Sequence, residues 1–201
     1  MVTPHFTVVI NITLAIIPFF LALYLFVFSN KRTFIWWLLL PVFIAFMPNS
    51  AYVLTDVIHL IAAIKQPDIT LAHILLVVVP LYIIYFVVNF EFYVISVQLA
   101  ERYIINNKVT WLAKIFLPGI HFLAAVGVYL GRFQRLESTD IIHKPIIVFR
   151  DLLLDITHEK SFIIILALFA FYYVMYLIFA KVNCHLWTKW LLPALAKLKH
   201  S

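Results

Sequence analysis

Two short polar segments of the chain share the pattern Thr-Asp-x-Ile-His, in which a histidine follows an aspartate three residues later. They are Thr55-Asp56-Val57-Ile58-His59 and Thr139-Asp140-Ile141-Ile142-His143. Residues three apart lie on one side of a helix, so each segment presents a carboxylate and an imidazole together. Carboxylate and histidine pairs on two helices build di-iron centres, and these ligand types suit zinc, iron or manganese. One prediction is therefore a metal site formed by Asp56, His59, Asp140 and His143.

Basic side chains close to the second segment suggest a different chemistry. Arg132 and Arg135 are also three apart, and Lys144 follows nearby. Two guanidinium groups at headgroup depth can clamp a lipid phosphate or carboxylate, with the lysine adding positive charge. The alternative is structural: each aspartate pairs with an arginine or caps a helix, and each histidine lies at the wet membrane edge.

A third candidate group is the carboxyl of Glu91, which lies inside an apolar run. An isolated carboxylate in hydrocarbon is costly, so this side chain should face the bundle interior, be protonated or have a partner. His121, midway along the next apolar run, is a candidate partner. Glu91 is accordingly predicted to be proton-linked.

The composition shows which class of protein must position these groups. The 201 residues are 65% hydrophobic and 12% charged, with a mean hydropathy of +1.05. A soluble domain is about 45–50% apolar and about 25% charged, so the chain is a membrane protein. The single cysteine, Cys184, excludes a disulfide scaffold. Basic residues dispersed between apolar runs disfavour nucleic-acid binding, and three glycines cannot build a phosphate-binding loop.

The hydropathy pattern predicts an all-α polytopic membrane bundle of about five spanning helices, forming a single integral-membrane domain over residues 1–201. The second span is predicted to break at Pro48-Asn49, since proline disfavours helical geometry in the preceding residue. Interfacial amphipathic helices are predicted around 146–156 and in the tail at 185–198. The predicted spans are residues 6–28, 34–54, 70–98, 111–131 and 162–180. A short sixth span is the alternative for the tail.

The distribution of basic residues predicts the orientation, because cytoplasmic segments collect lysine and arginine. An outside N-terminus and a cytoplasmic C-terminus put nine of the fifteen on the inside, with Glu101 as the acidic residue there. The two motif-bearing connections then share the extracytoplasmic face of the membrane. The inside basic residues are Lys31, Arg32, Arg102, Lys108, Lys114, Lys181, Lys189, Lys197 and Lys199.

Two of these stretches resemble a known family. The run from Pro48 to Leu60, and Gly131-Arg132-Phe133-Gln134-Arg135 followed by Ser138 and Asp140, are similar to bacterial membrane proteins catalogued as domain of unknown function number 1361. This chain has Ser50-Ala51 where the family tends to have Ala-Pro, and Thr139 where it tends to have tryptophan. The resemblance implies a membrane-helix fold and a location in the bacterial plasma membrane, but it implies no reaction. It favours a working set without His143, namely Asn49, Tyr52, Asp56, His59, Arg132, Arg135 and Asp140.

Three functions follow from these residues. The first is an enzyme acting on a lipid or lipid-linked substrate, with membrane lipids as partners. The second is a small proton-linked transporter that works as an oligomer, and the third is a non-catalytic accessory subunit beside other membrane proteins. In the enzyme, the catalytic residues are Asp56, His59, Asp140, Arg132 and Arg135, and the substrate-binding residues are Asn49, Tyr52, Arg132, Arg135 and Lys144.

Overall fold

The computed structural model describes residues 4–29, 31–65, 69–134 and 157–186, together with the single positions 143, 146, 150 and 154. Within these residues, five helices are long and apolar enough to cross a membrane, as predicted. Large apolar side chains cover their outer surfaces: Phe34 is 82% exposed and Leu76 is 77% exposed. Such surfaces suit lipid rather than water. The five spans are Asn11–Phe28, Phe34–Ile64, Leu71–Asn106, Thr110–Phe133 and Glu159–His185.

Several spans are built from more than one helical segment. Helix α1 is followed by a π-helical turn at Tyr24–Phe28, and α6 by another at Leu130–Gln134. A 3-10 turn at Val53–Asp56 joins α2 to α3, and a π-helical turn at Ile74–Val78 joins α4 to α5. The α-helices are α1 (Pro4–Leu23), α2 (Phe34–Tyr52), α3 (Val57–Ile64), α4 (Leu71–His73), α5 (Val79–Asn106), α6 (Thr110–Tyr129) and α7 (Glu159–Leu186).

The irregularity of the second span lies later than predicted. Helix α2 continues through Pro48-Asn49, and the change to 3-10 geometry comes at Val53–Asp56. Pro48 is accommodated because it packs against Gly127, where an added Cβ would lie 2.5 Å from the proline Cγ. The Ser50 hydroxyl also donates to the carbonyl oxygen of Ala15, at 2.6 Å. Tertiary contacts therefore outweigh the local preference of the residue before proline.

Helix α5 is the centre of the bundle, because it contacts α1, α2, α6 and α7. Around it, α1 packs on α2, α2 on α6, and α6 on α7. The core between these helices is largely aromatic and aliphatic. Its largest fully buried side chains include Tyr93, Tyr172, Phe43, Phe90 and Leu25.

The two ends of the bundle carry separate polar groups. At one end Arg32 donates from Nε to the Tyr103 hydroxyl and from Nη2 to Asn107 Oδ1, both at 2.9 Å. The guanidinium also lies over the Trp36 and Tyr103 rings. Asp56 lies at the opposite end, because α2 runs the length of the bundle between these two positions. These are called the Arg32 end and the Asp56 end below.

Candidate functional site

The carboxylate of Asp56 is the centre of a network that joins four spans. Its side chain is 1% exposed. Oδ2 accepts hydrogen bonds from Asn11 Nδ2 and from the Tyr85 hydroxyl, both at 2.8 Å, and Oδ1 accepts from Arg132 Nη2 at 2.8 Å. The three donors belong to the first, third and fourth spans, so one buried carboxylate links them to the second.

Arg132 is held in one orientation by the 3-10 turn that carries Asp56. Its Nε and Nη2 donate to Thr55 Oγ1 at 3.2 and 2.7 Å, while the Thr55 hydroxyl donates to the carbonyl oxygen of Tyr52 at 2.6 Å. The guanidinium carbon lies 4.2 Å from the centroid of the Tyr52 ring. A planar guanidinium stacked on an aromatic face and hydrogen-bonded at its edge has little rotational freedom. The π-helical turn Leu130–Gln134 presents it at the end of α6.

Exposure increases across the site from the carboxylate outward. The side chain of Asp56 is 1% exposed, that of Arg132 19% and that of His59 33%. His59 Nε2 lies 3.8 Å from Asp56 Oδ1, within ion-pair range and beyond a hydrogen bond. Guanidinium and imidazole therefore form the open edge above a buried anion.

Some of the predicted site residues come together in the structure, and others lie outside the described residues. The structure joins Asp56 to Arg132 and puts Tyr52 and His59 beside them. Asn49 is half-buried near the end of α2. His143 is helical and exposed, and nothing further is described of it. Arg135, Asp140 and Lys144 lie outside the described residues.

The predicted metal site can be compared with the potential ligands among the described residues. Among them, no three of histidine, cysteine, aspartate and glutamate come together as ligands. Both oxygens of Asp56 already accept hydrogen bonds, one of them from a cation. A metal ion at this carboxylate would lie beside the positive charge of Arg132, which opposes its binding. The four-ligand set includes Asp140, outside the described part of the chain, and stays a prediction.

The groups in the middle of the bundle pair differently from the prediction. Glu91 lies near Asn183 on α7, whose Nδ2 donates to Gln98 Oε1 at 3.5 Å. The ring of His121, its predicted partner, instead lies 2.6 Å from the Tyr93 hydroxyl through Nδ1. Proton linkage of Glu91 stays a prediction.

Sequence reasoning missed two members of the site, Asn11 and Tyr85. Asn11 lies in an apolar run, like Glu91, and the same argument about polar groups in hydrocarbon applies to it. Tyr85 begins a series with Asn89 and Tyr93 at four-residue spacing, which is a signal of one polar helix face.

Comparison with protein families identifies one family for this chain. The family described as Protein of unknown function (DUF1361) matches residues 10–175. The chain belongs to this family. The family match covers every described member of the Asp56 site, from Asn11 to Arg132. No curated protein and no solved structure matches the chain. The family description assigns no reaction to its members, and the geometry of the Asp56 site carries the functional information.

The arrangement has three chemical capabilities. The guanidinium of Arg132 is fixed in place, and beyond the bonds from Nε and Nη2 it carries two N–H groups on Nη1 that suit an anionic oxygen. His59 supplies an imidazole, a group that can accept and donate a proton. Asp56 supplies a buried negative charge, 2.8 Å from the guanidinium of Arg132 and 3.8 Å from the imidazole of His59.

Proposed function

We propose that the Asp56 end is the site of an enzyme that binds the anionic group of a lipid or lipid-linked substrate on the extracytoplasmic side. The observation that carries this proposal is the shared carboxylate. A rigid guanidinium and a partly exposed imidazole both lie against Asp56 Oδ1, at 2.8 and 3.8 Å. Arg132 then holds the phosphate or carboxylate of the substrate, and His59 transfers the proton.

The position of the site in the bundle supports a substrate that comes from the bilayer. The second span ends at Ile64 and the fourth at Phe133, so His59 and Arg132 lie within a few turns of the membrane surface. Exposed apolar side chains, including Ile58 and Ile61, flank His59 on α3. A headgroup at this depth reaches Arg132 while its acyl chains stay among apolar side chains.

Asp56 acts as a positioning residue in this proposal. A carboxylate within reach of an imidazole orients the ring, and catalytic contacts that are long without substrate often shorten when substrate binds. His59 is thereby suited to general acid or base catalysis. Arg135, Asp140 and Lys144 complete the proposed set of binding and catalytic residues.

Native mass spectrometry of the purified protein tests the binding step. The wild-type protein should retain an anionic lipid or lipid-linked molecule, and Arg132→Lys should lose it because lysine keeps the charge but not the planar fork. Arg32→Lys at the opposite end is the matched control and should retain the ligand. Retention by Arg132→Lys equal to that of the wild type would remove the proposal.

A second candidate function is that of an accessory subunit, and the four-span network of Asp56 supports it. A carboxylate that binds donors from three other spans is also a device for locking helices together. The two functions predict different effects of changing His59, which lies at the exposed edge of the Asp56 network. Under the enzyme proposal His59→Gln abolishes turnover at normal protein abundance, whereas under the accessory function it leaves the activity of the whole complex unchanged.

A further inference from the structure

Three fully buried polar atoms in the bundle interior have no hydrogen-bond partner among the residues that the structure describes. They are Asn89 Oδ1, His121 Nε2 and the hydroxyl oxygen of Tyr172. Their side chains are at most 2% exposed. A buried polar group without a partner is costly, so such groups in native proteins are normally satisfied by ordered water. Three of them within one bundle indicate internal water sites.

These atoms belong to a continuous series of polar groups on three helices. At the Asp56 end, the Tyr85 hydroxyl donates to Asp56 Oδ2 at 2.8 Å, and Asn89 Nδ2 donates to the carbonyl oxygen of Tyr85 at 2.7 Å. Tyr172 lies on α7, one turn before Tyr176. Tyr93 contacts His121 at 2.6 Å. The next steps toward the Arg32 end pass from this imidazole to Tyr176 and Glu101.

Two close contacts join His121 to Glu101 in the inner half of the series. The rings of His121 and Tyr176 lie 4.6 Å apart between centroids. The Tyr176 hydroxyl donates to Glu101 Oε2 at 3.2 Å. Glu101 lies one turn before the end of α5, close to the Arg32 end. We call Asn89, Tyr93, His121, Tyr172, Tyr176 and Glu101 the polar column.

Together with Tyr85 of the Asp56 site, the polar column extends across most of the membrane. On α5 it runs beside Tyr85, which bonds Asp56, to Glu101, 16 residues later. That separation corresponds to about 24 Å of helix rise, against about 30 Å for the hydrocarbon core. Tyr85, Asn89 and Tyr93 recur at four-residue spacing and lie within about 80° of one another around α5, whereas Glu101 lies on another side of the helix and is reached through His121 and Tyr176. Ionisable groups inside a membrane are characteristic of proton relays.

We propose that water molecules bind at the orphaned atoms of the polar column and that the column conducts protons between the Asp56 site and Glu101. Each hydroxyl and each water passes on one proton as it receives another. The imidazole accepts a proton on one ring nitrogen and releases one from the other. No group is consumed and no electrons are transferred, so a proton gradient alone supplies the driving force.

Proton flux into vesicles tests this proposal. The purified protein is reconstituted into liposomes that contain a pH-sensitive dye, and a potassium gradient with valinomycin supplies the voltage. Wild-type vesicles should acidify faster than protein-free vesicles. His121→Phe and Tyr172→Phe should reduce the flux to the level of protein-free vesicles, since each removes one link and keeps an aromatic ring. Flux in the wild type equal to that of protein-free vesicles would overturn the proposal.

Tyr129→Phe is the matched control for the loss of a buried hydroxyl. Tyr129 is 6% exposed, and its hydroxyl donates to Ser161 outside the polar column. This variant should conduct like the wild type. An equal loss of flux in Tyr129→Phe, or full flux in both His121→Phe and Tyr172→Phe, would show that the column is not the path.

A measurement on the unmodified protein tests the water sites separately. Brief X-ray irradiation turns bound water into hydroxyl radicals, which oxidise the side chains next to it. Tyr172 is 0% exposed, so its oxidation requires an internal water. Oxidation of Tyr172 at a rate similar to that of exposed tyrosines supports the proposal, and complete protection of Tyr172 overturns it. Both readouts are independent of lipid retention at the Asp56 site.

Discussion

Asp56 and Arg132 are 76 residues apart in the chain, and their Oδ1 and Nη2 atoms lie 2.8 Å apart at one end of the bundle. The aspartate is buried and the arginine is fixed by Thr55 and by the face of Tyr52. This ion pair closes the contact between the second and fourth spans. The negative charge of Asp56 is buried, whereas the imidazole of His59 and part of the guanidinium of Arg132 are exposed. The accessible groups of the site are therefore the arginine and the histidine.

Removing the charge of Asp56 should destabilise the protein strongly. Asp56→Asn leaves Arg132 partly buried without a counter-charge, and breaking such a pair costs about 3 kcal/mol. Tyr85→Phe removes one hydrogen bond to the same carboxylate and should cost about 1.5 kcal/mol. Unfolding in detergent followed by circular dichroism measures both. Equal stability of Asp56→Asn and the wild type would contradict the role given to this carboxylate.

The contact between Pro48 and Gly127 should not tolerate a methyl group. An added Cβ at Gly127 would lie 2.5 Å from the proline ring, whose rigid atoms cannot move aside, so Gly127→Ala should cost about 2 kcal/mol through overpacking. Gly119, on the same helix, has nothing within 4 Å of the equivalent position. Gly119→Ala should therefore stabilise by about 0.5 kcal/mol through helix propensity alone. Thermal unfolding of the two variants should shift in opposite directions, and shifts in the same direction would be inconsistent with this packing.

The Arg32 end should depend on the shape of the guanidinium rather than on its charge. Arg32→Lys loses the two-pronged contact with Tyr103 and Asn107. The expected loss is about 1 kcal/mol, since the group is exposed to solvent at the surface. Lys31→Arg, at the neighbouring exposed position, is the control and should have no effect. A Tm for Arg32→Lys equal to that of the wild type would refute this contact.

The orientation of the chain is testable with its own cysteine. Cys184 is exposed near the end of α7, at the Arg32 end. The distribution of basic residues predicts that this end is cytoplasmic. A membrane-impermeant maleimide should then label Cys184 only after the cells are permeabilised. Lys65→Cys in a Cys184→Ser background reports the opposite end and should be labelled in intact cells, and the reverse pattern would invert the topology.

The sequence was sufficient to predict the five spans and to put Asp56 and Arg132 on one face of the membrane, with their ion pair as one of several alternatives. Hydropathy determines the spans, and helix parity puts the connections after the second and fourth spans on one face. Asn11 and Tyr85 were not predicted as partners of Asp56. A membrane helix is apolar on every side, so the hydrophobic pattern does not reveal which face packs against a neighbour. The later position of the irregularity in the second span depends on Gly127, a tertiary contact that local rules for proline do not include.

The central claim is that the Asp56 end acts on a lipid or lipid-linked molecule through His59. The most direct test compares the membrane lipids of cells that express the wild-type protein with those of cells that express His59→Gln at equal abundance, using mass spectrometry. The claim predicts that at least one lipid or lipid-linked species accumulates in the variant and that its product is depleted. Identical lipid profiles at equal protein abundance would contradict it.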